Sequence, residues 1–308
     1  MSGGGPGSER VRTLVDGIAS DHVPVDDRGL AYGDGLFETI AFTAGRAPLW
    51  RGHMARLARG ARRLGLEAPA ADQLLAQARQ LAGNDDCLVK LVLTRLGGRG
   101  YAPASAAGID TAAGAVRAVG NAGNVGTDPV RSIVIRHPLP QVPARVYRDG
   151  LRLRWCRLRL AAQPRLAGIK HLNRLEQVLA RAEWHDPQID EGLLRDADDR
   201  VIGATAGNLF IVSDGELLTP RIDRCGVAGV ARAWLLARAR RWLPVAETDF
   251  DRAQVESADE VFLSNAVRGV MPVAGLGRRR WQPGPVTMRL GYTLAALGIG
   301  RAPGGYPQ

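Results

Sequence analysis

Two lysines stand apart in a chain that otherwise carries its positive charge on arginine. Of the 41 basic residues, only Lys90 and Lys170 are lysines. Arginine provides charge at a surface, but it cannot lose its proton and attack a carbonyl carbon as a primary amine does. Lys170 lies just before a predicted amphipathic helix, where partial burial would lower the pKa of its amine from the ordinary value of about 10.4. Lys170 is therefore the candidate nucleophile, and the alternative is an ordinary lysine near a helix start.

Three other segments could hold a ligand. Residues 26–39 place three glycines and Tyr32 before a predicted strand, and glycine lets a backbone approach a ligand closely. This segment is not a dinucleotide-binding loop, because a strand rather than a helix follows. Residues 219–232 run from small residues into a helix, whose free N–H groups form a seat for phosphate, and residues 258–266 end a strand in a small polar turn. Each segment alone is also compatible with a simple structural turn.

The composition is that of a soluble globular protein. The 308 residues, 45% hydrophobic and 23% charged, suffice for one large domain or two ordinary ones and exclude a disordered chain. No apolar run reaches the roughly 18 residues of a membrane helix, and residues 1–10, which lack an apolar core, predict a flexible tail rather than a secretory signal. The three scattered cysteines, Cys87, Cys156 and Cys225, suit a reducing cytoplasm and offer neither a disulfide framework nor a metal cluster.

The formal charge of +10 raises the question of an anionic partner. The arginines are spread along most of the chain, without interleaved aromatic residues and without a zinc-finger or RNP pattern. This distribution favours a solvated, arginine-rich surface. Nucleic acid is therefore not an expected partner.

The hydrophobic patterns predict two units and a proline-rich connector. The first unit, residues 1–137, has strands at 11–18, 36–43, 87–94 and 132–135, helices at 53–64 and 71–81, and a mobile insertion at 102–128. The linker takes residues 138–149. The second unit, residues 150–308, has strands beginning near 151, 192, 209, 216, 260 and 271 and helices at 172–184, 230–242 and 286–297. Because strands and helices do not alternate regularly, the patterns favour two α+β domains over a doubly wound sheet.

Taken in order, these segments resemble the fold-type IV pyridoxal-phosphate enzymes, which include branched-chain and D-amino-acid transaminases and aminodeoxychorismate lyases. The resemblance covers about residues 11–272, and residues 168–177 (GIKHLNRLEQ) and 94–101 (TRLGGRGY) are similar to those of the lyases. The resemblance implies a two-domain α+β fold with pyridoxal 5'-phosphate in the cleft between the domains. It also implies a homodimer in which a loop of the partner lies near each site.

The resemblance also implies roles for particular residues. Lys170 would hold the cofactor as a Schiff base and later carry a proton, and Arg56 would bind the cofactor phosphate. An arginine in the substrate pocket suits a substrate with two carboxylates. The other matched positions are backbone contacts to the phosphate, at Val230, Ala231, Asn265 and Ala266, and the substrate pocket, at Tyr32, Arg99 and Tyr101.

One position departs from the family pattern. Where the family has a glutamate that hydrogen-bonds the pyridine nitrogen, this chain has Gly203. Without that carboxylate the ring is a weaker electron sink, which hinders transamination more than an elimination that ends in an aromatic ring. The resemblance thus implies a lyase that converts 4-amino-4-deoxychorismate to 4-aminobenzoate and pyruvate, a step toward folate. The alternatives are a D- or branched-chain amino-acid transaminase, and a basic binding or regulatory protein that keeps the fold without catalysis.

Overall fold

A five-stranded antiparallel sheet forms the first half of the computed structural model, which describes residues 12–98, 100–102 and 127–301. The strand order is β2-β1-β5-β4-β3, so that β3 is an edge strand. The strands are β1 (Thr13–Val15), β2 (Ile18–Ala19), β3 (Gly35–Phe42), β4 (Cys87–Arg95) and β5 (Val130–Pro138). The helices of this half are α1 (Arg28–Tyr32), α2 (Trp50–Leu64) and α3 (Ala71–Ala82).

The two faces of this sheet differ in what covers them. Alternate residues of β4, from Cys87 to Leu93, are at most 1% exposed and pack with the apolar residues of α2 and α3. Because side chains alternate across a strand, Leu88 and Lys90 point to the other face. The pairing register puts Thr39 of β3 opposite Lys90, on that same face. This second face looks toward the other half of the chain.

The second half is built on a nine-stranded mixed sheet. Eight of its strands run in the order β11-β10-β9-β12-β13-β6-β7-β8, and β14 pairs with β13. The strands are β6 (Leu151–Leu160), β7 (Glu191–Asp196), β8 (Val201–Ala204), β9 (Asn208–Ser213), β10 (Glu216–Pro220), β11 (Val245–Thr248), β12 (Glu260–Asn265), β13 (Gly269–Leu276) and β14 (Arg279–Arg280). The helices are α4 (Arg145–Arg148), α5 (Leu175–Arg181), α6 (Val230–Ala239), α7 (Arg252–Ser257) and α8 (Pro285–Ala295).

The segment between β6 and α5 returns to the first sheet. The backbone N–H of Phe37 donates to the carbonyl of Lys170 at 2.9 Å, and the N–H of Leu172 donates to the carbonyl of Gly35 at 3.0 Å. The open edge of β3 supplies these bonds, since β3 has a sheet neighbour on one side only. Lys170 is thereby fixed between the two sheets.

Most predicted elements are confirmed, with three differences. The strand predicted at 11–18 is wrong as a single strand: Asp16 and Gly17 take positive φ values of 52° and 82°, which fold β1 and β2 into a hairpin. The helix predicted at 172–184 begins only at Leu175, because residues 170–172 bond to β3. Strands β8, β11 and β14 and helices α1, α4 and α7 were not predicted. The predicted tail, residues 1–10, and most of the predicted insertion, residues 102–128, lie outside the described residues. Among the described residues, no helix has the length and apolar character to cross a bilayer.

Candidate active site

Lys170 projects into a cavity of about 470 Å³ that residues of both sheets enclose. Gly168, two residues earlier, has φ +79°, a left-handed conformation that turns the chain back toward β3. The Lys170 ammonium lies 4.2 Å from the centre of the Phe37 ring. Other lining residues come from β3, α2, β8 and the segments that follow it, α6, and the turn after β12, and include Thr39, Arg56, Arg174, Gly203, Thr205, Asn208, Gly229, Val230, Ser264, Asn265, Ala266 and Arg268.

The surroundings of Lys170 favour its neutral amine. Burial, and secondarily the positive charge of Arg56, lower the pKa of Lys170 to about 8. Removal from water disfavours the ammonium form, and the nearby guanidinium repels it. A part of the amine is therefore unprotonated near neutral pH, which is the state that attacks a carbonyl carbon.

Arg56 on α2 is held by a fully buried carboxylate of β3. Its Nε donates to Oε1 of Glu38 at 2.8 Å, and its Nη2 bonds to Oε2. His53, one helical turn earlier, has its Nδ1 2.7 Å from the same Oε2. Burial by itself raises the pKa of Glu38, but its hydrogen bonds and ion pairs with Arg56 and His53 outweigh burial and leave the pKa below its ordinary value. The remaining Nη1 of Arg56 donates to the carbonyl of Ala228 at 3.2 Å, just before α6.

Helix α6 starts at the cavity. Its first N–H groups have no partner inside the helix, as at any helix start. The N-cap residue is Gly229, where an added Cβ would come within 1.9 Å of the Asn208 side-chain oxygen, so no other residue fits without displacement. Asn208 in turn donates to the carbonyl of Val227 at 2.9 Å. Val230 lines the cavity, whereas the side chain of Ala231 is buried in the core behind it.

The turn after β12 completes the wall. The side-chain oxygen of Asn265 accepts from the N–H groups of Val267 and Arg268 at 3.0 and 2.7 Å, and its amide donates to the carbonyl of Ala206 at 3.0 Å. The turn is thus tied to the segment after β8. Next to it, the hydroxyl of Ser264 is buried with no hydrogen-bond partner among the described residues, and it lines the cavity.

The structure brings together most of the predicted site but not its substrate residues. Tyr32 and Tyr101 do not line the cavity; they are 38% and 89% exposed, and their ring centres lie 5.5 Å apart. The Tyr32 hydroxyl accepts from the backbone N–H of Gly100 at 3.1 Å. Arg99 lies outside the described residues. The substrate roles of these three residues stay predictions.

Four lining or supporting residues were not predicted. Glu38 left a signal that could have been used, because a carboxylate within the apolar strand LFETIAF requires a buried partner. His53 and Ser264 carry no such signal, since their burial depends on contacts between distant segments. Arg174 belongs to the motif around Lys170, but nothing in the sequence separates it from the many surface arginines.

Gly203 lines the cavity and takes a backbone conformation that favours glycine. Its φ is +157°, and an added Cβ would lie 3.1 Å from the carbonyl oxygen of Gly207. Thr205, two residues after Gly203, donates its hydroxyl to Glu191, a buried carboxylate of β7. Thr205 also lines the cavity. The local backbone conformation therefore favours a residue without a side chain at position 203.

The chain belongs to the class IV aminotransferase family, whose sequence model matches residues 35–276. It is 33% identical over 265 residues to an aminodeoxychorismate lyase of Vibrio harveyi, and the aligned region covers 85% of this chain and 90% of the relative. The solved 4-amino-4-deoxychorismate lyase of Pseudomonas aeruginosa is 44% identical, with a TM-score of 0.82 over 92% of this chain and 98% of that one. The family and the two-domain α+β fold predicted from the sequence are confirmed.

A branched-chain amino acid aminotransferase from T.th. shares the fold and was solved with pyridoxamine 5'-phosphate. It is 22% identical to this chain, with a TM-score of 0.73 over 93% of both chains. The cavity described above fits a cofactor of this kind. The Lys170 amine, the Arg56 guanidinium and the start of α6 all line it. The hydroxyl of Ser264 and the Nη2 of Arg174 are buried there and have no hydrogen-bond partner among the described residues. No group of three or more potential metal ligands occurs among the residues that the structure describes.

Proposed function

We propose that this protein is a pyridoxal-phosphate-dependent aminodeoxychorismate lyase, which converts 4-amino-4-deoxychorismate to 4-aminobenzoate and pyruvate, a step toward folate. The observation that carries the proposal is the Lys170 amine, whose pKa is lowered to about 8 in a cavity lined by cationic groups. The similarity to the lyases of V. harveyi and P. aeruginosa supports a lyase rather than a transaminase.

The phosphate would be held at the end of the cavity where Arg56 meets α6. Arg56 offers the N–H groups that Glu38 and the carbonyl of Ala228 leave free, and the backbone at Val230 and Ala231 offers the unpaired N–H groups of a helix start. The turn at Asn265 and Ala266 faces the same space. Because the hydrogen bonds to Glu38 already fix the orientation of Arg56, the guanidinium needs little rearrangement to bind an anion.

When bound, pyridoxal 5'-phosphate supplies an aldehyde that captures the substrate amine and a ring that draws electrons from the adjacent carbon. Lys170 is the residue for covalent attachment, since its amine is partly neutral. Lys170, once freed by the substrate amine, would be the base that takes the proton from the ring carbon bearing nitrogen. Departure of the enolpyruvyl group, which takes up a proton and is released as pyruvate, would leave the substrate ring aromatic, and this aromatisation would supply much of the driving force.

Gly203 supports the same choice between the two chemistries. No carboxylate extends from position 203 into the cavity, so the electron sink is weaker than in a family member with glutamate there. An elimination driven by aromatisation tolerates this loss better than transamination, which must hold a delocalised carbanion until it is reprotonated. A lyase is therefore the activity that this cavity fits.

The test is the substitution Lys170→Arg, with Lys90→Arg as the matched control. Lys170→Arg should abolish the absorption band of the bound cofactor and reduce 4-aminobenzoate formation by about 10³-fold or more, because a guanidinium neither attaches the cofactor nor carries the proton. Lys90→Arg should keep both. Borohydride reduction followed by peptide mapping should find the cofactor on Lys170, and a tag elsewhere contradicts the proposal. Wild-type protein that forms glutamate from an amino acid and 2-oxoglutarate, without releasing pyruvate from aminodeoxychorismate, is a transaminase instead.

We also propose that the protein is a homodimer. The supporting observation is a row of exposed apolar residues on α5, at Leu175, Val178 and Leu179. These positions, spaced i, i+3 and i+4, form one face of the helix. A face of this kind is typical of an interface between protein chains.

A further inference from the structure

Arg174 has a buried nitrogen without a partner in the cavity that holds Lys170. The residue is the N-cap of α5, four positions after Lys170, and it lines the cavity. Its Nε donates to the carbonyl of His171 at 3.0 Å, but its Nη2 is buried and has no hydrogen-bond acceptor among the described residues. Withdrawing a guanidinium nitrogen from water without an acceptor is costly. A bound ligand that supplies the acceptor removes this cost.

The charge of Arg174 is also offset only in part. Arg56, which also lines the cavity, is paired with Glu38, so that pair is close to neutral. No carboxylate of the described residues lies within 4.0 Å of Arg174. The acidic residue closest in sequence, Glu176, instead accepts from the backbone N–H of Ala161 at 2.8 Å. Arg268 lines the cavity as well, but no nitrogen of its side chain is both buried and unpartnered.

Arg174 nevertheless remains a cation at neutral pH. Burial lowers the pKa of Arg174 to about 10; Glu176 opposes this shift and Arg56 adds to it. The neighbouring His171 adds no second positive charge at neutral pH, because burial, and secondarily the charges of Arg174 and Lys170, lower the pKa of His171 to about 4. Arg174 is therefore a charged, partly desolvated guanidinium whose buried Nη2 receives no acceptor from the described residues.

We propose that Arg174 is a ligand-binding residue of this site, whose Nη2 donates to an anionic oxygen of the bound molecule. Two sources offer such an oxygen: the cofactor, and a carboxylate of the substrate. The identity of these two molecules rests on the proposed function, whereas the recognition of an anion rests on the burial and charge of Arg174 alone. A merely structural role, in which Arg174 only braces the carbonyl of His171, would affect stability but not affinity for anions.

The test compares Arg174→Met and Arg174→Lys with Arg165→Met, which removes one positive charge at an exposed position five residues before Lys170. The first readout is the thermal midpoint of the full chain with increasing inorganic phosphate or isophthalate, a ring with two carboxylates. The second is the affinity for pyridoxal 5'-phosphate, from its absorbance. The third is kcat and KM for aminodeoxychorismate, measured separately.

Arg174→Met should weaken binding by about 10- to 100-fold in at least one readout, as expected for the loss of a charge-assisted hydrogen bond. Weaker cofactor binding identifies the cofactor as the source of the oxygen, and a raised KM with unchanged cofactor affinity identifies the substrate. Arg174→Lys should recover part of the loss. If Arg174→Met behaves like Arg165→Met in all three readouts, the proposal is overturned. If the wild-type chain fails to bind the cofactor, the proposed function fails, and stabilisation by phosphate or isophthalate still decides the role of Arg174.

Discussion

The reactivity of the candidate site depends on where the Lys170 amine is placed. The half-buried amine lies 4.2 Å from the centre of the Phe37 ring, with Arg56 nearby. Burial, and secondarily the positive charge of Arg56, lower the pKa of Lys170 to about 8, well below that of a lysine in water. An ordinary lysine is almost wholly protonated at pH 7, whereas a pKa near 8 raises the neutral fraction by about two orders of magnitude.

This shift predicts how Lys170 titrates in the cofactor-free protein. Modification of its amine should rise with pH and level off just above pH 8 rather than above pH 10. Because the pKa is lower in the folded chain, the unfolded chain binds more protons between about pH 8 and 10.4, so this group makes the free energy of unfolding increase with pH over that window. The chain has only two lysines, so reductive ¹³C-methylation in a Lys90→Arg background leaves Lys170 as the only lysine signal for NMR. A midpoint near pH 10 contradicts the prediction.

At the residue scale, the sequence identifies the candidate amine and the candidate glycines of the site better than it identifies the ion-pair and hydrogen-bond partners of its charged residues. Lys170 could be predicted because lysine is rare in this chain and an amine has a distinct chemistry. The role of Arg174 could not, since the sequence shows 39 arginines and only the fold shows that Arg174 lines the cavity with a buried nitrogen that has no acceptor among the described residues. The pair of Arg56 with Glu38 likewise joins α2 to β3, 18 positions apart.

At the scale of elements, strand β8 decides what can stand at position 203. We predict that Gly203→Ala lowers the free energy of unfolding by about 1–3 kcal/mol, because an alanine disfavours φ +157° and its Cβ approaches the Gly207 carbonyl. Gly203→Glu should cost a similar amount, measured by thermal or urea unfolding. The alanine variant is thus the control for the backbone effect of adding a Cβ.

The comparison between these two variants then isolates the carboxylate. Relative to Gly203→Ala, Gly203→Glu should gain transaminase activity, since a carboxylate near the pyridine nitrogen strengthens the electron sink. Glutamate formation from an amino acid and 2-oxoglutarate measures this gain. If Gly203→Glu loses more lyase activity than the alanine variant and gains no transamination, the proposed effect of Gly203 on the choice of reaction is wrong.

The elements that sequence patterns predict are those whose periodicity is local. Helix α2 and strand β4 were predicted within three residues at each end, because their apolar spacing reports burial directly. Strands β8 and β11 were not predicted, since each has four residues and too few positions to show alternation. The start of α5 was placed too early because the hydrogen bonds of residues 170–172 are made to β3, which lies far earlier in the chain.

At the scale of the whole molecule, the cavity belongs to neither sheet alone. The first sheet contributes Phe37 and Thr39, helix α2 contributes Arg56, and the second half contributes most of the remaining walls. Lys170 joins the two halves, since its carbonyl is bonded to β3 while its chain leads into α5. Any contact that stabilises α5 therefore also stabilises the position of Lys170.

The exposed face of α5 provides such a contact in the proposed homodimer. Leu175, Val178 and Leu179 are 67%, 61% and 53% exposed, although apolar residues on one helical face normally pack against a partner. We predict that Leu179→Glu raises the dimer dissociation constant by about 100-fold or more, because burying an unpaired carboxylate in an apolar interface is strongly unfavourable. Sedimentation velocity over a range of concentrations measures the change. Gln163→Glu adds the same charge at an exposed position outside α5 and should leave the dimer intact, whereas a wild-type chain that stays monomeric at micromolar concentration shows that this face has another role.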